Sequence, residues 1–214
     1  MKFYPEVLPE EQLSVLRQAA PALARIGFYL VGGTALAIHL GHRRSVDLDW
    51  FTGEYLVDPL NLAQRLRDAD LAFVTEQTAP GTLHGNIRGV RMSLFEYRYP
   101  LLGDLVEWEE TGARLASLDD LACMKLSAIV QRGSRKDFYD IYALCRSHHP
   151  MVELLELYRQ KFAIDDIGPL LYGLVYFAEA EAEPEPVLVQ AVRWTAVKKA
   201  LRAWVREIAG SISE

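Results

Sequence analysis

The chain has 214 residues, 50% of them hydrophobic, enough to bury a real core in one large domain or two small ones. A net charge of −6 excludes a protein that coats nucleic acid with its whole surface, so any RNA contact is confined to a local patch. No apolar run approaches the ~20 residues that span a bilayer, and the longest candidate, Leu170 to Ala178, is interrupted by Gly173. Met1 to Glu6 lacks the apolar segment of a signal peptide. Cys123 and Cys145 sit in apolar helical contexts and read as buried free thiols of a reducing cytosol. A cytoplasmic protein without membrane contact is expected.

In chain order, Glu10 to Ile26 has a helical apolar pattern that Pro21 is expected to break or kink. Phe28 to Val31 reads as a short buried strand. Thr34 to Leu40 reads as a two-turn helix stopped by Gly41. Asp47 to Phe51 is a strand, and Asp58-Pro59 starts a helix that runs to about Asp70, with Asp as cap and Pro in the first turn. Phe73 to Gln77 is a strand, and Thr82 to Ile87 and Val90 to Tyr99 form a hairpin around Arg88-Gly89. Leu105 to Trp108 and Ala113 to Ala116 are short further strands. From Ser117 the pattern turns helical, starting with a capping-box-like Ser117-Leu118-Asp119-Asp120. Helices are expected to Gln131, over Ser134 to Cys145, Val152 to Phe162 and Ile167 to Ala178. An acidic linker follows over Ala180 to Pro186, then a last amphipathic helix over Val187 to Ile208. Its stripe is Ala191, Trp194, Leu201, Trp204 and Ile208. The class is α+β, with an α/β half over 1–115 and a helical half over 116–214.

One stretch carries the chemistry. Gly32-Gly33-Thr34 is a glycine turn opening a helix, where the backbone can approach a ligand and free N–H groups can face a phosphate. The following strand holds Asp47 and Asp49, whose side chains alternate onto one face. Two adjacent carboxylates repel, and a divalent cation relieves that repulsion; hard oxygen ligands suit magnesium or manganese. There is no Walker A lysine, dinucleotide fingerprint or nucleophilic serine elbow.

Gly-Gly, thirteen residues, then Asp-x-Asp resembles the signature of polymerase-β-like nucleotidyltransferases. The fuller string from Gly32 through Arg43-Arg44-Ser45-Val46-Asp47-Leu48-Asp49-Trp50-Phe51 resembles the AbiEii/AbiGii-type toxins of bacterial toxin–antitoxin and phage-defence systems. A second match follows downstream, in Asp120-x-x-x-x-Lys125-x-x-Ala128 and Arg132-Gly133-Ser134-Arg135-Lys136-Asp137-Phe138-Tyr139-Asp140. The resemblance implies a polymerase-β-like core, a small mixed sheet with helices, followed by a helical region that completes the active site. It implies a metal-dependent nucleotidyltransferase moving a nucleoside monophosphate from a nucleoside triphosphate to RNA, a tRNA 3′ end, with release of pyrophosphate. It also implies a cognate antitoxin, usually a DNA-binding repressor. The same chemistry on a protein or on a small molecule such as an aminoglycoside stays open, as does a non-catalytic nucleotide-binding module.

Asp47 and Asp49 are the expected metal ligands, with Mg²⁺ or Mn²⁺ as cofactor. Gly32, Gly33, Thr34 and Ser45 are expected around the nucleotide. Arg43 either grips a phosphate or forms an ion pair that orients an aspartate. Lys125, mid-helix on an apolar face, needs an anion or must snorkel; in the family it is taken as a nucleotide contact. Asp137 belongs to the site by resemblance, as general base or as the partner holding Lys125, and Lys136 contacts phosphate or acceptor. Family members usually carry a third acid on a neighbouring strand, where this chain has Ser93; Glu96 is the fallback, on the opposite face of a regular strand. His39 is expected to pack and His42 to orient its loop. Arg193, Lys198, Lys199, Arg202 and Arg206 read as a solvated helix face or as a patch for a tRNA acceptor stem.

Overall fold

The structure is a computed structural model and describes residues 2–212. Seven strands form one mixed sheet in the order β3-β4-β5-β2-β1-β7-β6. They are β1 (Tyr29–Val31), β2 (Leu48–Thr52), β3 (Phe73–Ala79), β4 (Thr82–Ile87), β5 (Val90–Glu96), β6 (Val106–Trp108) and β7 (Ala113–Leu115). β3, β4 and β5 make an antiparallel meander, while β2 runs parallel to β5 and antiparallel to β1. Arg88 and Gly89 turn the β4–β5 hairpin with φ of 51° and 80°, the left-handed pair that a tight hairpin demands. The α+β class is as expected, and every strand expected from the sequence joins this one sheet.

β2 alternates cleanly. Leu48, Trp50 and Thr52 are buried on one face, and Asp49 and Phe51 are half-buried on the other. Its first neighbour pairs Val31 with Asp49, and its second pairs Asp49 with Ser93.

The helices begin with α1 (Glu10–Arg25), α2 (Gly32–Leu40) and α3 (Pro59–Asp68). α1 runs unbroken through Pro21, so of the expected break or kink the break does not occur. Proline inside a helix costs about 3 kcal/mol. Here Val15, Leu16, Ala19, Ala20 and Leu23 are fully buried, and that face keeps the helix docked across the proline. α2 is apolar all round and central, buried from Thr34 to Leu40. Gly41 ends it at φ 63°, where an added Cβ would lie 2.6 Å from the Tyr4 ring. Asp58 caps α3, accepting from Asn61 N–H at 3.0 Å.

After β7 the chain is helical: α4 (Leu118–Gln131), α5 (Arg135–Ser147), α6 (Met151–Phe162), α7 (Gly168–Gly173), α8 (Ala178–Ala182) and α9 (Trp194–Ile212). Ser117 caps α4, its hydroxyl accepting from Asp120 N–H at 3.1 Å. α4 packs against α2, α5, α6 and α7. Asp120 and Lys161 pair at 2.6 Å with both side chains fully buried. Asp120 also accepts from Leu102 and Gly103 N–H, and Lys161 donates to Pro100 O, so this pair pins the 100–103 loop to α4 and α6.

Three expectations fail in the last third. The helix expected over Ile167 to Ala178 is split into α7 and α8, because Gly173 closes the first and Tyr172 stacks on Tyr176 at 5.4 Å around the turn. The acidic segment 180–186 is not a free linker. Glu183 accepts from Ser134 Oγ at 2.6 Å and from Arg135 N–H at 2.8 Å, capping α5, and the Tyr139 hydroxyl donates to Glu185. The final helix starts at Trp194, not Val187, because 187–190 is extended against the loop after α2. Leu188 bridges Arg43, Arg44 N–H donates to Val187 O at 2.8 Å, and Val189 and Gln190 N–H both reach His42 O, at 2.9 and 3.0 Å. Trp194 and Leu201 of the stripe are buried, and Ala191 lies outside the helix. Cys123 and Cys145 are both free thiols.

Candidate active site

The glycine turn and the acid-bearing strand meet at the start of α2. Gly32 sits at φ 71°, and a Cβ there would fall 2.6 Å from Asp49 Oδ2. At Gly33 a Cβ would fall 2.5 Å from the Arg43 guanidinium and 3.3 Å from Ser45 Oγ. Both glycines are therefore required by what passes over them. The N-cap position, Val31, supplies no side-chain acceptor, so the first-turn N–H groups of α2 lack a side-chain cap. The Thr34 hydroxyl lies 2.9 Å from Ser45 Oγ and donates to Asp47 O, and Gln12 Nε2 also reaches Asp47 O at 3.4 Å. These bonds fix Asp47 just before β2, which starts at Leu48 and not at Asp47 as expected.

Asp47 and Asp49 line an open cleft of about 380 Å³ together with His84, Arg91 and Ser93. Asp47 is half-exposed and pairs at 2.9 Å with the exposed Arg91. Burial raises the Asp49 pKa, and the neighbouring Asp47 charge raises it further; Lys125, the Ser93 hydroxyl and Lys136 pull the other way without reversing it. A carboxylate in that condition is short of positive charge. Ser93 stands directly beside Asp49, at the place of the expected third acid. Glu96 is three residues further along, accepting from Leu56 N–H and paired with Arg98, and does not fill that place.

Behind the cleft lies a buried ion-pair network. Lys125 is 5% exposed. Its Nζ lies 2.8 Å from Asp137 Oδ1 and 2.7 Å from Asp140 Oδ2. Arg43, 3% exposed, grips Asp140 with two parallel bonds, Nε to Oδ1 at 2.6 Å and Nη2 to Oδ2 at 2.8 Å. His42 Nε2 lies 2.7 Å from the same Oδ1. Arg132 reaches Asp137 at 3.0 Å. Burial alone would raise both aspartate pKa values. Arg43 and Lys125 hold Asp140 well below the usual carboxylate range, and Lys125 and Arg132 hold Asp137 down.

Of the residues singled out in the sequence, Asp47 and Asp49 line the cleft, Gly32 lies against Asp49, Gly33 lies against Arg43 and Ser45, and Lys125 and Asp137 pair in the network behind it, with Lys125 and Lys136 acting on Asp49 through their charge. Of the two roles open to Arg43, the ion pair is the one formed, and its partner is Asp140. His42 orients the same aspartate, and His39 packs, with Nε2 3.1 Å from Ala116 O. The hub itself, Asp140, was visible only as the last letter of a motif, because nothing in sequence says that residues 97 positions apart meet.

The family described as "Nucleotidyl transferase AbiEii toxin, Type IV TA system" matches residues 14–100 and 89–207. The chain belongs to this family. An Aquifex aeolicus protein is 38% identical to it over 178 residues, 82% of this chain and 86% of that one. The fold is shared with solved structures at much lower identity. The nucleotidyltransferase toxin MenT4 of Mycobacterium tuberculosis superposes with a TM-score of 0.61 at 15% identity, covering 92% of this chain and 83% of that one. A candidate nucleotidyltransferase of H. pylori gives 0.60 at 18% identity, covering 96% and 97%. The antibiotic-resistance factor ANT(2'')-Ia gives 0.53 at 15% identity, covering 72% and 91%. In this AbiEii chain the strand acids and the glycine turn thus sit in a nucleotidyltransferase fold. Among the described residues no helix is long and apolar enough to cross a membrane.

Proposed function

We propose that this AbiEii-family toxin transfers a nucleoside monophosphate from a nucleoside triphosphate to RNA, with a tRNA 3′ end as acceptor and Mg²⁺ or Mn²⁺ as cofactor. The observation that carries the reading is the charge-poor pair Asp47 and Asp49 beside the uncapped start of α2. The donor set fits such a cation: two carboxylates lining one cleft, one just before β2 and one on it, the latter with its pKa raised, and a glycine against which Asp49 lies in place of a side chain. Asp47 and Asp49 would hold the ion, which would supply charge neutralisation at the α-phosphate and the leaving pyrophosphate.

The chain's own groups do the rest. Gly32, Gly33 and Thr34 present the α2 N-terminus to the triphosphate, with Ser45 holding Thr34 in place. Lys125 and Lys136 bring positive charge towards Asp49 and hence towards the phosphates. Asp137 is a poor general base, since Lys125 and Arg132 keep it ionised and occupied; its role is to hold Lys125. Arg43, His42 and Asp140 are positioning residues that tie α5 to the loop feeding β2. The base is proposed to lie along Phe51, which shares the face of Asp49. Phe51 stacks on Tyr97 at 4.5 Å and opens on a cavity of about 440 Å³ that includes Tyr99, Met124, Tyr158 and Phe162. In the transfer, an acceptor hydroxyl oxygen bonds to the α-phosphorus, the α–β phosphoanhydride bond breaks, pyrophosphate departs and the hydroxyl proton goes to solvent. We propose further that the helical half, 116–214, completes the site, that the protein works in the cytoplasm, and that a cognate antitoxin restrains it.

A specific observation favours a second reading, the same transfer to a protein or a small molecule. Of the basic residues near α9, Lys198 is paired with Glu181 and Arg202 lies over the Phe177 ring at 5.2 Å, which depletes the patch available to RNA. Incubation with magnesium, each α-³²P-labelled nucleoside triphosphate and total bacterial RNA separates the readings on a denaturing gel. A tRNA-sized labelled band, absent in Asp47→Ala, is the expected result. Label on protein supports the second reading. Nucleotide binding with no label on any acceptor and no pyrophosphate would leave a binding module and overturn the transfer.

A further inference from the structure

Away from the cleft, the first turn of α4 meets the corner between α5 and α6. Asp119 lies in that turn, His148 and His149 follow α5, and Glu153 lies in the first turn of α6. His148 Nε2 is 2.6 Å from Asp119 Oδ1, and His149 Nε2 is 3.5 Å from the same oxygen. His149 Nδ1 is 2.8 Å from Glu153 Oε2. One ligand atom from each of Asp119, His148 and His149 lies within 4.8 Å of the others, and all three residues are half-buried.

The cluster has the arrangement of a metal-ligand set. A carboxylate beside Nδ1 fixes the ring, so that Nδ1–H donates to Glu153 and Nε2 carries the lone pair. That nitrogen then faces Asp119. The second imidazole brings another nitrogen to the same oxygen, with the two ring centroids 4.0 Å apart. Two ring nitrogens and a carboxylate oxygen converging on one point form a ready ligand set for a cation. A carboxylate holding the far nitrogen of a ligand histidine is the usual outer shell of a zinc site. The mixed nitrogen and oxygen set suits zinc and disfavours magnesium.

We propose that Asp119, His148 and His149 bind a zinc ion, with Glu153 orienting His149 and water at the fourth position. The site is separate from the nucleotide cleft: Lys125 follows Asp119 by six positions of α4, roughly 9 Å of helix. It would staple the start of α4 to the α5–α6 corner. Those are the helices that carry Lys125, Asp137 and Asp140, so the ion would brace the buried network from its far end.

The test uses the full chain, stripped with chelator and dialysed against zinc chloride in excess magnesium, with bound metal and unfolding temperature read together. Wild type is expected to retain one zinc per chain and to melt higher with it. The Asp47→Asn, Asp49→Asn double variant should retain the same zinc. His148→Ala with His149→Ala should lose affinity by at least about 100-fold and lose the thermal shift, while Glu153→Gln, which keeps all three ligands, should weaken zinc by about 10–100-fold. Zinc that wild type does not retain, or an affinity unchanged in the histidine variant, overturns the proposal. If the histidine variant fails to fold, Glu153→Gln decides, and an unchanged affinity there overturns it.

Discussion

Two pairs of aspartates, one lining the cleft and one buried behind it, live under opposite conditions. Asp137 and Asp140 on α5 are buried and surrounded by Lys125, Arg43, Arg132 and His42, with pKa values held down. Asp47 and Asp49 by β2 are more open; the exposed Arg91 pairs with Asp47, and Asp49 has its pKa raised by burial and by its neighbour. The same side chain is scaffold where the protein supplies the cations and, in the proposed function, a metal ligand where it withholds them. This difference separates residues that sequence motifs list side by side. It also explains why the conspicuous lysine and arginine of those motifs are internal partners before they are ligand contacts.

The contrast can be broken at its strong end first. Asp140→Ala leaves the Arg43 guanidinium buried without its carboxylate and takes one partner from Lys125, and should destabilise the fold by about 3–5 kcal/mol in denaturant unfolding. Asp49→Asn should do the reverse. Transfer should fall by about 100-fold or more, the scale of removing one charge-stabilising group. Stability without divalent cation at neutral pH should hold or rise, because the replaced carboxylate was repelled. Comparable unfolding losses in the two variants would erase the distinction.

Smaller effects sharpen it. Phe51→Ala should weaken nucleotide binding by about 1–3 kcal/mol, the scale of a base stacked on an aromatic ring, with the divalent dependence kept; titration of a nucleoside triphosphate reads this. Gly32→Ala should cost about 1–2 kcal/mol of stability from backbone strain alone, besides crowding Asp49.

The pH profile carries the same signature. Asp137 and Asp140 have lowered folded pKa values, so their contribution is present above the unfolded value, about 3.9, and is lost as pH falls through the folded ones. Asp49 has a raised folded pKa, so its contribution is present below about 3.9 and lost as pH rises through the folded value. Unfolding free energies of wild type and Asp49→Asn, measured without divalent cations, should therefore diverge in favour of the variant as pH climbs from 4 towards neutrality.

Much of this was legible in the sequence. The strand alternation of Leu48, Trp50 and Thr52 against Asp49 and Phe51, the Asp58 and Ser117 caps and the Arg88-Gly89 hairpin all follow from local rules. The position of Ser93 beside Asp49 could be anticipated because strand register preserves order. What was hidden is non-local. The path of α1 through Pro21 was decided by a buried face, and the extended segment 187–190 by a bridge to Arg43. Glu183 and Glu185 looked like a solvated acidic run until α5 supplied their donors. The Asp140 hub needed tertiary contact to be seen at all, since charge runs do not announce their partners.

The most direct test of the central claim is nucleoside triphosphate binding to wild type and Asp49→Asn, by calorimetry, with magnesium and with chelator. Binding to wild type that requires magnesium, and that Asp49→Asn abolishes while keeping its fold, is the predicted result. Binding that is indifferent to magnesium, or equal in the two proteins, would contradict the assignment of Asp47 and Asp49 as the cation-holding pair.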